Sequence, residues 1–422
     1  MSKSERRVLV IGGGAAGMAA AIAAADSGAA VTVVERNEKL GKKVYITGKG
    51  RCNVTNDCER DEFLKEVPRN PRFLYSALSA FSPRDMMNLL ENSGCPVTVQ
   101  RGRRVFPASE KASDVIRTLS HLMGERGVRV RLNSRVKTLN TSENAVCGVT
   151  LENGEQLTAD AVILCCGGVS YPMTGSTGDG YALAQSAGHT LVPRQAVLTA
   201  LETVEQWPCE LQGLSLKNVR LTLKNGKKTL YTELGEMLFT HFGISGPMVL
   251  EMSCHLPDTL TDARVTLDLK PGLTMEQLDA RLQRDFIEQP RKQLQNVLPG
   301  LLPLRLAGLF PGLAQVDGGT QCSQISRADR EKLLQALKAL PLTIRARRPM
   351  EEAIVTRGGV SVKEIAPATM ESKLVRGLFF AGEMIDVDAH TGGYNLQIAF
   401  ATGMLAGKCA ALNSAEKETN LQ

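Results

Sequence analysis

Val8-Leu-Val-Ile11 runs into Gly12-Gly13-Gly14-Ala15-Ala16-Gly17, and an alanine-rich stretch continues to Ser27. A second apolar run, Ala30-Val-Thr-Val-Val34, then ends in Glu35. Strand, glycine turn, helix, strand and terminal acid, in that order, constrain the fold more than any other part of the chain. They predict the βαβ unit that binds a dinucleotide. Gly12 permits the tight turn, Gly14 lets a pyrophosphate approach the backbone, and Gly17 lets the helix pack close to the sheet. Free N–H groups at the helix start, with the positive end of its dipole, attract the pyrophosphate. Glu35, 18 residues beyond Gly17, is placed to accept the ribose hydroxyls.

The chain has 422 residues, room for two or three domains. The stretch Ile11 to Val34 is apolar, but Asp26 and its glycines make it strand-helix-strand rather than a membrane span. No long apolar run precedes Gly12, so no signal peptide is expected. The ten cysteines include no Cys-x-x-Cys pair, which fits reduced thiols in a cytoplasmic protein. Cys165-Cys166 ends an apolar strand and reads as core. No metal site is expected. Net charge is +6, and the basic residues are scattered apart from Arg101-x-Arg103-Arg104 and Arg345-x-Arg347-Arg348. Both clusters read as solvated surface; the other reading has a cofactor phosphate drawing them inward. Neither has the aromatic interleaving that single-stranded nucleic acid requires, so a nucleic-acid partner is not expected. The polar tail from Asn413 reads as frayed.

After the first βαβ unit, Arg36 to Asn56 is rich in Gly and Lys without a clear period and reads as a long functional loop. Ser82-Pro83-Arg84-Asp85 starts a helix. Gly127 to Leu139 predicts two short strands, and Asn153-Gly154 a hairpin turn. Buried strands follow at Ala159–Cys166, before Gly167-Gly168, and at Gly377–Ala381, before Gly382-Glu383. A sheet begun at Val8 is thus completed near the C-terminus, and the segment between is an insertion. Its first part alternates and holds Asn225-Gly226, so it reads as strands; from Pro271 to Leu340 it reads as helices, with Thr274-x-x-Gln277 and Ser326-x-x-Asp329 as caps.

The glycine turn, the mid-chain strand ending in glycines and the late strand ending in Gly and an acid together resemble two-dinucleotide-binding flavoproteins. Glu383, where most such proteins have Asp, resembles the fumarate-reductase-like variant. More specifically, the chain resembles a family of bacterial NAD(P)/FAD-dependent oxidoreductases with aminoacetone-oxidase-like and bile-acid-pathway reductase-like members. The resemblance covers nearly the whole chain. It rests on Gly41-Lys-Lys43, Thr47-Gly-Lys-Gly-Arg-Cys-Asn-Val-Thr-Asn56, Cys166 to Tyr181, Gly235 to Pro247 and Ala381 to Gln397. It implies an α/β fold: a Rossmann-like FAD-binding domain over 1–191 and 355–422, a small β-rich insertion domain over 192–270 and 341–354, and a helical subdomain over 271–340. It also implies non-covalent FAD, contacted at Gly12, Gly14, Ala15, Ala16, Gly17, Glu35, Arg36, Lys43, Gly48, Arg51, Asn53, Val136, Gly167, Gly382, Glu383, Asp386, Asn395 and Leu396. Either Glu383 or Asp386 reaches the ribityl chain.

Lys43 and Arg51 are placed to offset negative charge on a reduced flavin, or are exposed loop cations. Thr391-Gly-Gly-Tyr-Asn-Leu opens a helix whose N–H groups would face the flavin, with Asn395 and Leu396 contributing through the backbone. His241, with Ser245, sits in the insertion as the candidate proton donor; Tyr171, His390 and Tyr394 are alternatives. Gly175-Ser-Thr-Gly-Asp-Gly180 reads as a turn into the helix at Tyr181 rather than a second nucleotide site. With no second complete Gly-x-Gly-x-x-Gly, NAD(P)H would bind transiently at the flavin. The expected function is hydride transfer between a small organic substrate or NAD(P)H and FAD, with the substrate held between the FAD domain and the insertion. The alternatives are an oxygen-using amine oxidase and a flavin-dependent RNA-modifying or RNA-binding protein.

Overall fold

The computed structural model describes residues 5–260 and 263–412; the tail from Asn413 lies outside them. Five parallel strands form the central sheet, in the order Leu378–Phe380, Ala161–Leu164, Arg7–Ile11, Ala30–Val34, Arg129–Arg131. Val8 stands opposite Ala161 on one side and Val31 on the other. The inner strands are runs of Val, Ile, Leu and Ala without strict alternation, as expected where helices cover both faces of a parallel sheet.

Helix Ala15–Asp26 is buried from Ala15 to Ala24. Its alanines leave room for a second buried helix, Tyr394–Ala411, to lie directly on it. A Cβ at Gly403 would stand 2.4 Å from Ala16 O, and one at Gly407 would stand 2.1 Å from Ala20 O. Glycine is therefore required at both crossings. Residues four apart on one helix meet residues four apart on the other in the same sense, so both helices start toward the same end of the sheet.

The Arg36–Asn56 segment is not the uninterrupted loop that its composition predicts. It contains the helical turn Lys42–Ile46, a 3-10 turn at Thr47–Gly50 and a short strand, Thr55–Asn56, that joins Arg104–Pro107 and Val97–Gln100. Five helical residues are too few to show a 3.6-residue period. The hairpin at Asn153-Gly154 lies in an antiparallel meander of Val136–Ser142, Ala145–Leu151 and Gln156–Thr158.

The chain forms two compact units. One takes the residues up to Ala196 and from Met350 onward; the other is Val197–Pro349. The strand Leu191–Val197 pairs with Val355–Val360, which keeps the residues just past 191 with the first unit. The second unit is a closed barrel of Leu201–Thr203, Gly243–Ser245, Lys228–Thr240, Ser215–Asn225, Ala263–Asp268 and Leu340–Arg347. Helices Met275–Glu288 and Arg327–Ala339 share one hydrophobic core with it, where Leu278, Leu282, Leu333 and Leu337 join Leu221, Leu223, Val265 and Leu267. The β-rich and helical parts of the insertion thus differ in texture but not in core. Thr274 and Gln277 form a reciprocal capping box at the start of the first of these helices.

Candidate functional site

The glycines of the first turn differ in what they face. Gly12 has φ +104°, and a Cβ there would meet Cys165 O at 2.5 Å; a Cβ at Gly17 would meet Gly12 O at 1.8 Å. The protein's own packing demands both. A Cβ at Gly14 would meet no atom within 4 Å, so the backbone faces open space there. Gly14 caps the helix without a side-chain hydrogen bond, and the first turn, with Ala15, Ala16 and Gly17, carries no acid. The orphan N–H groups of a helix start are thus left with neither a capping side chain nor a carboxylate.

Glu35 ends its strand buried. Its Oε2 accepts from Gly13 N at 2.6 Å, and Oε1 accepts from Asn37 N at 2.8 Å and Asn37 Nδ2 at 2.7 Å. Asn133 N donates to Asn37 O, and Ser134 N to Glu35 O, each at 2.9 Å. These bonds bring the strand that begins at Val136 beside Glu35. Arg36 pairs with Asp179 at 2.8 Å, and Asp179 also takes Arg135 at 2.7 and 2.8 Å. The Arg135 hydrogen bonds hold the Asp179 carboxyl below its ordinary range. Asp179 is the first residue of helix Asp179–Ser186, so the start of the helix after Gly175–Gly180 already carries a doubly paired carboxylate.

Four distant segments meet at Lys43. Its Nζ donates to Ser170 Oγ at 2.7 Å and lies 2.5 Å from Glu383 Oε2. Glu383 Oε1 accepts from Thr356 N at 2.7 Å and Ser170 Oγ at 3.1 Å. Thr356 Oγ1 in turn accepts from Val169 N and Ser170 N at 2.9 and 3.1 Å. Next to Gly167, a Cβ at Gly168 would strike Thr356 Oγ1 at 2.4 Å. The glycine pair therefore admits this cluster, and Gly382, before Glu383, packs on Ala16. Sequence reasoning did not single out Ser170, although it lies within the Cys166–Tyr181 motif, or Thr356, which lies in strand Val355–Val360 with no local signal.

Asp386 is turned inward onto Arg69, 2.9 Å away, and Asn70 at 3.2 Å. Asp388 forms a buried two-pronged pair with Arg357 at 3.0 and 2.7 Å. Of the two carboxylates that the sequence left open for the ribityl chain, Glu383 keeps 19% side-chain exposure, against 5% for Asp386.

Arg51 stacks on Phe106 at 4.3 Å and reaches Gln100 and Glu110. Gly48 has φ +57°. Asn53 Oδ1 is buried with no hydrogen-bond partner among the described residues. This loop abuts the start of the long C-terminal helix: Asn56 Nδ2 donates to Gly392 O at 3.1 Å, and a Cβ at Gly393 would stand 2.3 Å from Thr55 O. Asn395 does more than the backbone role expected of it. Its Oδ1 accepts from Ala389 N at 3.0 Å and its Nδ2 donates to Ala389 O at 2.7 Å, closing the turn before the helix. Leu396 packs on the core. His390 Nδ1 lies 2.9 Å from the Glu66 carboxylate.

With Gly403 on Ala16, the start of the C-terminal helix projects eight residues, about 12 Å at 1.5 Å per residue, beyond the start of the first. Two uncapped helix starts, an open backbone at Gly14 and an unpartnered Asn53 Oδ1 fit an extended dinucleotide.

His241 and Ser245 belong to the other unit. His241 is exposed at a strand end, its ring edge-on to Phe242 at 4.8 Å. Arg348 covers the other ring at 4.3 Å, and Arg345 and Arg348 pair with Glu202 at 2.7 and 2.8 Å. Arg347 donates to Leu256 O at 2.9 Å. This arginine cluster therefore fastens the barrel itself, whereas Arg101, Arg103 and Arg104 are exposed. Burial pushes the Cys166 thiol up to about 12 and raises that of Cys165 as well; Cys165 is a core residue, and Cys166 is partly buried against the core. Among the described residues no group of His, Cys, Asp or Glu is placed to hold a metal, and no helix is long and apolar enough to cross a membrane.

Residues 6–409 match the family described as HI0933-like protein Rossmann domain. The chain is 34% identical over 394 residues to the 3-dehydro-bile acid delta(4,6)-reductase of Clostridium scindens, covering 92% of this chain and 94% of that one. It is 32% identical over 383 residues to the ribosomal RNA dihydrouridine synthase of Haemophilus influenzae, covering 89% and 91%. Among solved structures it is similar to a quinol-fumarate reductase with menaquinol molecules, with TM-score 0.52 and 18% identity over 99% of this chain and 74% of that one. It is likewise similar to the Mycobacterium smegmatis Sdh1 complex in the apo form, with TM-score 0.51 and 20% identity over 99% and 71%. These structural likenesses show a shared fold.

Proposed function

This chain belongs to the Rossmann FAD-binding family of HI0933-like proteins, and from that membership we propose that it is an oxidoreductase with non-covalent FAD. In this reading NAD(P)H is the electron source and an organic substrate with a carbon–carbon double bond conjugated to a carbonyl is reduced. The observation that carries the reading is the open backbone at Gly14 set beside the buried Glu35 carboxylate. The substrate class is supported by the names of the relatives, a bile-acid delta(4,6)-reductase and ribosomal RNA dihydrouridine synthases, which share the saturation of a carbon–carbon double bond.

Gly12 to Gly17 would hold the pyrophosphate through backbone N–H groups, with Glu35 on the ribose, the Val136 segment beside the adenine and Glu383 on the ribityl chain. Bound FAD would supply two-electron hydride chemistry. The start of helix Tyr394–Ala411 and the Lys43 ammonium each favour negative charge beside them. Saturating a conjugated double bond takes a proton as well as a hydride. Two histidines are available for it. His390 is oriented through Nδ1 by Glu66, a contact that sets which ring nitrogen carries the proton; His241 lies exposed on the barrel.

The test is anaerobic. NADH or NADPH should bleach the flavin of the purified protein, and a 4-en-3-one steroid or a uridine-containing RNA should restore the oxidised spectrum while the saturated analogue does not. A protein that purifies without FAD, or whose FAD neither nicotinamide reduces, would sink the reading.

A further inference from the structure

We propose that Arg101 and Arg104, with Lys49, form a subsite for a phosphate monoester, the 2′-phosphate that distinguishes NADPH from NADH. The inference rests on the flavin reading above and names its reductant. No second complete Gly-x-Gly-x-x-Gly is present, so no second glycine turn offers backbone N–H groups to a nicotinamide dinucleotide. Side-chain cations are left to hold its phosphates, and arginine is the residue that accommodates a 2′-phosphate in dinucleotide sites.

The small sheet of Thr55–Asn56, Arg104–Pro107 and Val97–Gln100 carries the cations. Residues directly opposite each other in an antiparallel pair share a face, so Arg104, Phe106, Gln100, Thr98 and Asn56 lie on one side. No carboxylate is among them. The loop assigned to FAD folds onto that side: Arg51 stacks on Phe106 at 4.3 Å, and a Cβ at Gly48 would meet the Phe106 ring at 3.6 Å. Lys49 is the next residue of this loop and is exposed. Asn56 joins the sheet to its surroundings. Its Nδ2 donates to Gly102 O at 3.0 Å, in the Arg101–Arg103 turn, and to Gly392 O at 3.1 Å, before the C-terminal helix. One side chain thus links the arginine turn to the helix start that the reading gives to the flavin ring. A Cβ at Gly102 would meet Arg104 Nε at 3.9 Å, so the Arg104 head group lies against the turn that bears Arg101.

The local acids are already engaged. Residues 47–57 and 97–111 hold six cations and two acids. Glu110 is taken by Arg51 and by Gln100 at 2.9 Å, and Asp57 by Arg84 at 2.9 Å. Arg103 takes Glu62 from helix Arg60–Lys65. Arg101, Arg104 and Lys49 are exposed and form no ion pair among the described residues. Lys49 has φ +59° and ψ +41°, left-handed backbone that residues other than Gly, Asn and Asp seldom adopt. Strain of this kind gathers at ligand sites. In the same loop Arg51 Nε and Asn53 Oδ1 are buried without a hydrogen-bond partner among the described residues. A phosphate monoester carries about −1.5 to −2 charge at pH 7, and guanidinium groups fork onto its oxygens. The FAD pyrophosphate does not compete for them, because its proposed place is Gly12–Gly17, at the start of the other helix.

The experiment uses the full-length holoprotein. It is titrated calorimetrically with adenosine 2′,5′-bisphosphate and with adenosine 5′-monophosphate, and its anaerobic bleaching is followed with NADPH and with NADH. The wild type should favour the 2′-phosphorylated member of each pair by about tenfold to a hundredfold, the worth of hydrogen bonds to a charged group. Arg101→Gln/Arg104→Gln should remove that preference while flavin content and the response to NADH stay unchanged. Should the double variant lose flavin, Arg101→Gln alone, on the turn, should still reduce the preference several-fold. Equal binding of the two adenosine phosphates by the wild type would overturn the subsite. So would a double variant that keeps the preference, or one that loses the NADH and NADPH responses alike. A variant slowed only in reoxidation by the unsaturated substrate would give the cations to that substrate and overturn the assignment to NADPH. Flavin that neither nicotinamide bleaches would sink the functional reading, whereas the two adenosine titrations judge the 2′-phosphate site by themselves.

Discussion

Gly403 lies against Ala16 so closely that a Cβ on the glycine would stand 2.4 Å from the alanine's carbonyl oxygen. That contact sets how far the C-terminal helix slides along the first, and so how the two uncapped helix starts are spaced. Gly403→Leu should lower stability by about 1–3 kcal/mol through overpacking and should lose FAD with it. Gly308→Ala, in a helix where a Cβ meets nothing within 4 Å, should be neutral or stabilising by about 0.5–1 kcal/mol. Thermal unfolding and flavin content check both; a Gly403→Leu protein with full flavin and an unchanged midpoint would show that the helix spacing is not critical.

Gly14→Val separates binding from folding. Gly14 has φ −80°, which any residue adopts, and its Cβ direction is open, so the substituted chain should fold. The valine would occupy the space proposed for the pyrophosphate. We expect an apoprotein with a native unfolding transition, checked by absorbance at the flavin band together with calorimetry.

Glu35→Ala should weaken FAD without abolishing it. Hydrogen bonds to a charged group contribute about 1.5–3 kcal/mol, or roughly ten- to a hundredfold in affinity. Part of any stability loss will come from Gly13 and Asn37, whose N–H groups would lose their acceptor. Fluorescence titration of the apoprotein with FAD measures the change, and an unaltered Kd would take Glu35 off the ribose.

His189 should make stability pH-dependent. Its ring is buried, with Nε2 2.8 Å from Ser372 Oγ, Nδ1 3.2 Å from Glu364 and an edge-on contact with Phe380. Burial lowers its pKa and outweighs the Glu364 charge, which raises it. The folded protein then binds fewer protons than the unfolded chain. The contribution is fully present above the unfolded value of about 6.5 and is lost as pH falls from there toward the lower folded value. Denaturant unfolding at about pH 7 and pH 5.5 should show a drop that shrinks in His189→Gln; parallel pH profiles would refute the assignment.

His390→Gln and His241→Ala should divide the proton-transfer role. A general acid contributes about 10²–10⁴-fold, so the true donor's variant should keep its FAD and its bleaching by NAD(P)H yet slow reoxidation by the unsaturated substrate within that range. Stopped-flow traces of the two half-reactions decide between them. Wild-type rates in both variants would leave the proton to solvent or to another group.

What the sequence determined by itself was whatever a short stretch can encode. The Gly12–Gly17 turn, the Glu35 strand end, the Asn153-Gly154 hairpin and the Thr274 and Ser82 caps are local agreements between side chain and backbone, and each can be read from a few adjacent residues. The family motifs were legible for the same reason. Tertiary structure decided what lies far apart in the chain. Lys43 and Glu383 are 340 residues apart, and Ser170 and Thr356 join them only because strand order brings four chain segments to one place. Leu340–Arg347 closes the barrel only by pairing with Leu201–Thr203 and Ala263–Asp268. The glycines at 403 and 407 read as helix-weakening residues until the backbone of Ala16 and Ala20 is found against them. The barrel's inner face is complete only because a register shift between Leu216 and Val219 keeps Leu216, Val219, Leu221 and Leu223 all turned inward.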